Sequence, residues 1–249
     1  MFYAIPLENK PSWRNPPWMT VLLILLNMLV FWGPQRSEEK ARDRAAHYYT
    51  QSVLPGLELP PFVQWLEDTH SKRAKAARQL LAQKEYALLL DGLQGEKPFL
   101  QKLHADAVVT PAHPRYAEWK RDRQQYEAML PAPFTERWSQ DFGQGAEFEP
   151  WTWITAAFLH GSTGHLVGNM LFLFLFGFSV ELALGRGTYL SFYLLGAVGA
   201  SAMAGWAYAG KGGYGLGASG AISALMGMYA VMYRLRRIRF FYQLFFYFN

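Results

Sequence analysis

The segment GHLVGNMLFLFLFGFSVELALG, residues 164–185, decides the fold class of this chain. Glu181 is the only carboxylate in this mainly apolar run, and His165–Leu184 has the length of a helix that crosses a bilayer. Comparable runs occur elsewhere in the chain, at Trp18–Gly33, Tyr189–Ala209 and Ser219–Tyr233, and another begins after Arg239. The sequence therefore predicts an all-α membrane protein, a transmembrane helix bundle with about four spans and the start of a fifth.

The charges divide along the chain in a way that supports this prediction. Residues 34–150 hold 16 Lys/Arg against 17 Asp/Glu, whereas the remainder holds 8 against 2 and carries a net charge of +6. The basic excess lies beside the apolar runs and is explained by membrane topology, so we expect contact with the lipid bilayer and none with nucleic acid. The positive-inside tendency puts Lys10, Arg14, Arg186 and the arginines after Tyr233 on the cytoplasmic side.

The predicted organisation has three parts. Residues 1–33 form a cytoplasmic N-terminus and a first helix, an uncleaved anchor because no small-residue cleavage site follows WGPQR. Residues 34–147 form a soluble helical insertion outside the cytoplasm, with helices at 37–53, 62–90 and 115–130 and proline-rich breaks at 55–61 and 131–133. Residues 148–249 form the membrane core.

Polar residues at membrane depth are the candidate functional groups, because such groups are costly there. Ser162 or Thr163 is the predicted N-cap of a helix that places His165 and Asn169 on one face. His160 lies in the approach to that helix. Ser219 in GASG opens another helix at the same predicted depth. It has two readings: a nucleophile supported by free helix N–H groups, or a cap before the packing face formed by Gly220, Ala224 and Gly227.

Several other chemistries are disfavoured by composition. The chain has no cysteine, so it has neither a zinc-thiolate site nor a thiol nucleophile. The spacing of His160 and His165 differs from HExxH, and we predict no metal or cofactor. An aspartic intramembrane protease needs two carboxylates, yet no Asp follows Asp141 and Glu181 stands alone. A transporter or channel subunit stays open, since histidines in spans often mark ion paths.

Taken together, the motifs H160-xxxx-H165-xxx-N169, G177-xxx-E181-xxx-G185 and G217-A218-S219-G220 resemble the rhomboid family of intramembrane serine proteases. The resemblance covers the first apolar run and nearly all of residues 148–249. It implies a six-helix core whose fourth helix begins at the nucleophile and whose sixth supplies a histidine base. By this resemblance Ser219 is the nucleophile, His165 and Asn169 stabilise the oxyanion, and His160, Gly217 and Gly220 are supporting residues.

The chain departs from the family pattern at two positions. Thr152 follows Trp151 where the family often has arginine, and no histidine follows His165, so the base is missing from these 249 residues. We expect the parent protein to continue past Asn249 and to supply that histidine on a later span. Residues 1–249 alone should then be inactive.

The expected function is that of a multi-pass intramembrane serine endopeptidase that cleaves transmembrane or juxtamembrane segments of membrane proteins. Its expected location is the plasma (inner) membrane if the source is bacterial. The alternative is a catalytically inactive rhomboid-like protein that binds membrane clients.

Overall fold

The computed structural model describes residues 4–6, 16–143, 145–147, 149–233 and 240–242. Its helices, numbered in chain order, are α1 (Trp18–Val30), α2 (Arg36–Gln51), α3 (Leu54–Asp68), α4 (Ala74–Ala82), α5 (Tyr86–Gln94), α6 (Lys97–His104), α7 (Tyr116–Met129), α8 (Phe134–Trp138), α9 (Thr152–Thr155), α10 (Thr163–Phe172), α11 (Phe178–Leu184), α12 (Arg186–Tyr208) and α13 (Ser219–Tyr233). π-Helical segments at Phe31–Gln35 and Leu173–Gly177 join α1 to α2 and α10 to α11, and a 3₁₀ turn at Ala156–Phe158 follows α9.

Two short antiparallel strand pairs complete the described structure. β1 (Ala4–Pro6) pairs with β4 (Phe240–Tyr242), and β2 (Gln140–Asp141) pairs with β3 (Tyr214–Gly215). The all-helical prediction is thus right for the architecture, with these small additions. The predicted start of a fifth span lies outside the described residues, except for the three residues of β4.

By its own packing the chain divides into two compact units. Residues 38–132 form the inserted unit, and residues 1–37 together with 133–249 form the membrane unit. The segment 133–147, which the sequence prediction groups with the insertion, is therefore packed within the membrane unit. The extracytoplasmic position of residues 34–147 stays a prediction.

The inserted unit has a core of its own, made of leucines, Tyr49, Phe62, Phe99, Trp119 and Tyr126. The predicted helices at 37–53 and 115–130 correspond to α2 and α7, but two predictions for the stretch between them are wrong. Residues 55–61 are helical: Pro55 occupies the first turn of α3, where no N–H donor is needed, and the helix continues through Pro60 and Pro61 although neither has an N–H to donate to the preceding turn. The single helix predicted at 62–90 is three helices, since His70 and Lys84 adopt positive φ angles of 52° and 59° in the turns between them.

A buried carboxylate organises the centre of the inserted unit. Glu58 is fully buried and accepts hydrogen bonds from Trp119 Nε1 (2.8 Å), Tyr49 OH (3.1 Å) and an Arg123 guanidinium nitrogen (3.2 Å). Burial raises the pKa of the Glu58 carboxyl above its ordinary value, and the positive charge of Arg123 opposes this. Every polar group in this cluster that faces the core is thus paired, as buried polar networks require.

The described residues include three helical stretches that are long and apolar enough to cross a bilayer. They are Trp18–Gln51, Thr163–Leu184 and Arg186–Tyr208, and Ser219–Tyr233 is a shorter apolar helix. The predicted runs Trp18–Gly33, His165–Leu184 and Ser219–Tyr233 fall within these helices, and Tyr189–Ala209 extends one residue past the end of its helix. The first helix continues through Phe31–Gln35 to Gln51 without a break, although Pro34 lies inside it, because the π-helical turn accommodates the missing N–H donor.

Glu181 fixes the start of α1 against the end of α11. Its carboxylate accepts hydrogen bonds from the backbone N–H groups of Met19 (2.9 Å) and Thr20 (2.7 Å) and from the Thr20 hydroxyl (2.7 Å). These N–H groups belong to the first turn of α1 and have no acceptor within the helix. Glu181 therefore stabilises a helix N-terminus, and α1 and α11 are antiparallel neighbours.

Helices α12 and α13 pack closely through small residues. A Cβ atom on Gly196 would lie 2.7 Å from Cβ of Ala224, and one on Gly220 would collide with Cβ of Ala200. The packing face predicted from Gly220 and Ala224 therefore meets α12. Gly227 does not belong to it, because no described atom outside its own stretch of helix lies within 4 Å of where its Cβ would be.

Candidate active site

The first turn of α10 carries two of the candidate residues. Ser162 is the N-cap, with extended backbone, and its hydroxyl accepts a hydrogen bond from the His165 backbone N–H at 3.1 Å. The helix begins at Thr163, so His165 lies in its first turn and Asn169 one turn later on the same face. Side-chain capping thus determines where both residues project.

The hydrogen bonds around His165 indicate which ring nitrogen can donate. The Gly161 N–H points at His165 Nδ1 with a long separation of 3.4 Å, which makes Nδ1 the acceptor. In the neutral imidazole the proton is then on Nε2. That nitrogen faces the loop before Ser219, and His165 is half-buried. His165 therefore offers an N–H donor at the edge of this loop.

His160 holds the other candidate donor in place. Its Nε2 lies 3.0 Å from Nδ2 of Asn169, and because an amide nitrogen only donates, His160 Nε2 is the acceptor. Both side chains are buried. Burial, and secondarily the nearby His165, lowers the pKa of His160 from 6.5 to about 4. The ring is thus neutral at pH 7 and free to accept the Asn169 hydrogen.

Gly217 brings the loop before Ser219 against these residues. Its φ of 118° is a conformation that residues with a Cβ rarely adopt, and its N–H donates to the Ala156 carbonyl at 2.8 Å. A Cβ at this position would lie 2.7 Å from Cε1 and 2.8 Å from Nε2 of His165, and 3.6 Å from Nδ2 of Asn169. Only glycine permits so close an approach of the backbone.

Ser219 is the first residue of α13. The first helical hydrogen bond runs from the Ile222 N–H to the Ala218 carbonyl at 2.9 Å, so Ala218 occupies the capping position. The N–H groups of residues 219–221 therefore precede the first bond of the helix and have no acceptor within it. Ser219 is exposed, and within the described part of the chain no hydrogen bond holds its Oγ. The Ser219 side chain therefore does not act as the N-cap of α13.

A cavity of about 520 Å³ opens beside Ser219. Gly217, Ser219 and Gly220 lie in its wall, which small side chains of α12 continue, namely Ala197, Ala200, Ser201 and Ala204. Two aromatic rings, Phe142 and Tyr208, also line it and approach each other to 5.7 Å between centroids. The hydroxyl therefore borders a mainly apolar space large enough for side chains of another polypeptide.

Sequence reasoning missed one residue of this site, Gln35, at the end of the first π-helical segment. Its Oε1 accepts from the His160 N–H at 3.0 Å, and its Nε2 donates to the His160 carbonyl at 3.2 Å. The available signal was an amide residue placed directly after an apolar run. Among the described residues there is no group of three or more His, Asp or Glu side chains able to hold a metal ion.

Apolar helices of spanning length, with polar side chains gathered where α10 and α13 begin, define a multi-pass integral membrane protein. Residues 147–248 match the Rhomboid domain, which confirms the predicted resemblance for this part of the chain. RHOMBOID-like protein 12, mitochondrial, from Arabidopsis thaliana is 40% identical over 91 residues. The match covers 30% of this chain and 27% of that protein, so the chain spans about a quarter of the relative. No solved structure matches the chain.

Proposed function

We propose that this protein is an intramembrane serine endopeptidase with Ser219 as its nucleophile. One observation carries the proposal: the backbone at Gly217, two residues before Ser219, is in contact distance of His165 and approaches Asn169. The exposed Ser219 hydroxyl and the first N–H groups of α13 thus follow directly on a loop that His165 and Asn169 approach. This supports an acyl-transfer site built from a hydroxyl, backbone N–H groups and two side-chain donors.

In the proposed reaction Ser219 Oγ attacks the carbonyl carbon of a peptide bond and loses its proton to a general base. The negative charge that forms on the carbonyl oxygen is stabilised by the Ser219 N–H, His165 Nε2 and Asn169 Nδ2. The base gives this proton to the leaving amine, then takes a proton from the water that attacks the acyl-enzyme and returns it to Ser219 Oγ as the acid product leaves. We propose that the base is a histidine on a later helix beyond residue 249.

The proposed substrates are transmembrane or juxtamembrane segments of other membrane proteins. The apolar cavity beside Ser219 supports this class, because a segment arriving from the bilayer presents apolar side chains. Which membrane holds the protein depends on its source. We propose the plasma (inner) membrane if the source is bacterial, whereas the relative from Arabidopsis is named mitochondrial.

The experiment is labelling of the full-length protein with a serine-directed fluorophosphonate, together with cleavage of a transmembrane reporter. Ser219→Ala should abolish both. Ser223→Ala is the matched control, since this exposed serine lies one turn further along α13 and bonds only the Ser219 carbonyl among the described residues. Labelling that persists in Ser219→Ala would refute the assignment. A folded wild-type protein that is never labelled would favour the alternative, an inactive rhomboid-like protein that binds membrane clients.

A further inference from the structure

Gln35 forms a two-point contact with the backbone of a residue 125 positions away. Its side-chain oxygen accepts from the His160 N–H at 3.0 Å, while its nitrogen donates to the His160 carbonyl at 3.2 Å. Only 7% of Gln35 and 2% of His160 is exposed. Since the N–H needs an acceptor and the carbonyl a donor, the orientation of the Gln35 amide is determined by its partner.

The chemistry of this contact is specific to a primary amide. A carboxylate of the same length could accept from the N–H but not donate to the carbonyl, and a thioether could do neither. The second hydrogen of Gln35 Nε2 points to the Thr135 hydroxyl at 3.4 Å. Both ends of the amide are therefore engaged.

His160 passes this constraint to Asn169. The backbone of His160 is held by Gln35, and its ring nitrogen accepts from Asn169 Nδ2 at 3.0 Å. That same Nδ2 atom lies 3.6 Å from where a Cβ of Gly217 would be, so the Asn169 amide nitrogen is beside the Ser219 loop. A displacement of the His160 backbone would thus turn the Asn169 amide.

We infer that Gln35 is a positioning residue that acts through His160 to orient the Asn169 amide toward the Ser219 loop. The inference rests on the proposed function where it concerns catalysis. Its structural part, the link from Gln35 to the His160 ring, is independent of whether the protein is an enzyme. The loss of an orienting partner is expected to slow the reaction, because small misplacements of a donor cost large factors in rate.

The test compares Gln35→Met and Gln35→Glu with Thr20→Val in the full-length protein. Thr20→Val removes a hydroxyl that bonds Glu181 and so reports on destabilisation of the membrane unit away from the site. Melting temperatures identify conditions in which all variants are folded. The first readout is the imidazole NMR signal of His160 in ring-labelled protein, which should shift in both Gln35 variants and stay in place in Thr20→Val.

The second readout is the kinetics of reporter cleavage. Gln35→Met should lower kcat roughly 10- to 100-fold with KM nearly unchanged, as expected for a misplaced donor. In an Asn169→Ala background the same substitution should lower kcat little further, because the amide that Gln35 orients is then absent. Thr20→Val should show the same effect in both backgrounds.

The outcomes separate the two proposals. An unmoved His160 signal in Gln35→Met overturns the positioning role, whatever the activity. A full additional loss in the Asn169→Ala background also overturns it while leaving the protease proposal intact. Wild-type protein without cleavage or labelling refutes the protease proposal, and the His160 signal then decides the structural link alone.

Discussion

Gly217 and His165 are so close that a Cβ on the glycine would lie 2.8 Å from Nε2 of the histidine. The loop before Ser219 and the first turn of α10 are thereby held together, although they are far apart in the chain. The positive φ of Gly217 adds a second reason for glycine at this position.

Gly217→Ala should therefore reduce the rate of fluorophosphonate labelling by roughly 100-fold, since the loop must move by about an ångström to relieve the contact. The measurement is the labelling time course of the full-length protein. Gly199→Ala is the matched control, because this glycine of α12 has no described atom within 4 Å of its Cβ position. The control should be neutral or stabilising by up to about 1 kcal/mol. Equal labelling of Gly217→Ala and wild type would contradict the geometry.

Glu181→Ala should destabilise the membrane unit by about 3 kcal/mol or more. The substitution leaves the N–H groups of Met19 and Thr20 and the Thr20 hydroxyl without their buried acceptor, and an unsatisfied buried donor costs about 1–3 kcal/mol. Unfolding in mixed micelles measures the change. Glu147→Ala, at an exposed position, should change stability by less than about 0.5 kcal/mol. Similar losses in the two variants would show that Glu181 has no anchoring role.

Acidification should destabilise the folded protein partly through His160. Its pKa is about 4 when folded and near 6.5 when unfolded, so between these values the unfolded state binds more protons. The stability contributed by the neutral ring is complete above pH 6.5 and is lost as the pH falls toward 4. His160→Gln should show a flatter decline in melting temperature between pH 7 and 4.5. Parallel curves for the two proteins would be inconsistent with a buried neutral His160.

Glu58→Ala should unfold the inserted unit preferentially, at a cost of about 3–5 kcal/mol. Among the described residues it leaves Arg123, which is 7% exposed, with only the partly exposed Glu127 as a carboxylate partner. It also removes the acceptor of Trp119 and Tyr49. Limited trypsin digestion should cut within residues 38–132 far sooner than in wild type. Glu67→Ala, which breaks an exposed pair with Arg78, serves as the control. Equal digestion rates for the two variants would contradict a central role for Glu58.

The sequence predicted much of the membrane unit because hydropathy acts locally. The cost of placing a residue in lipid depends on that residue and its neighbours in the helix, so the apolar runs could be read directly from the chain. The N-cap of α10 was also predictable, since Ser162 bonds a backbone group only three residues away. The spacing of His165 and Asn169 then placed both on one face.

The inserted unit was harder to predict for a physical reason. The positions of its turns depend on where each helix buries its apolar face, which the local sequence does not show. The sequence pattern of 62–90 was therefore compatible with one long helix. In the folded unit this stretch is divided among α3, α4 and α5, which pack around one core. Tertiary packing overrode the local periodicity.

The sequence by itself determined that the chain crosses the membrane several times and that Ser219 opens an apolar helix. Only the tertiary structure decided which distant groups pair: Gln35 with His160, Glu181 with Thr20, and Gly217 with His165. Hydropathy is a sum over neighbouring residues, whereas a hydrogen-bond partner is chosen by which helices lie side by side. The partners of Gln35 and Glu181 are 125 and 161 residues away, beyond the reach of any local pattern.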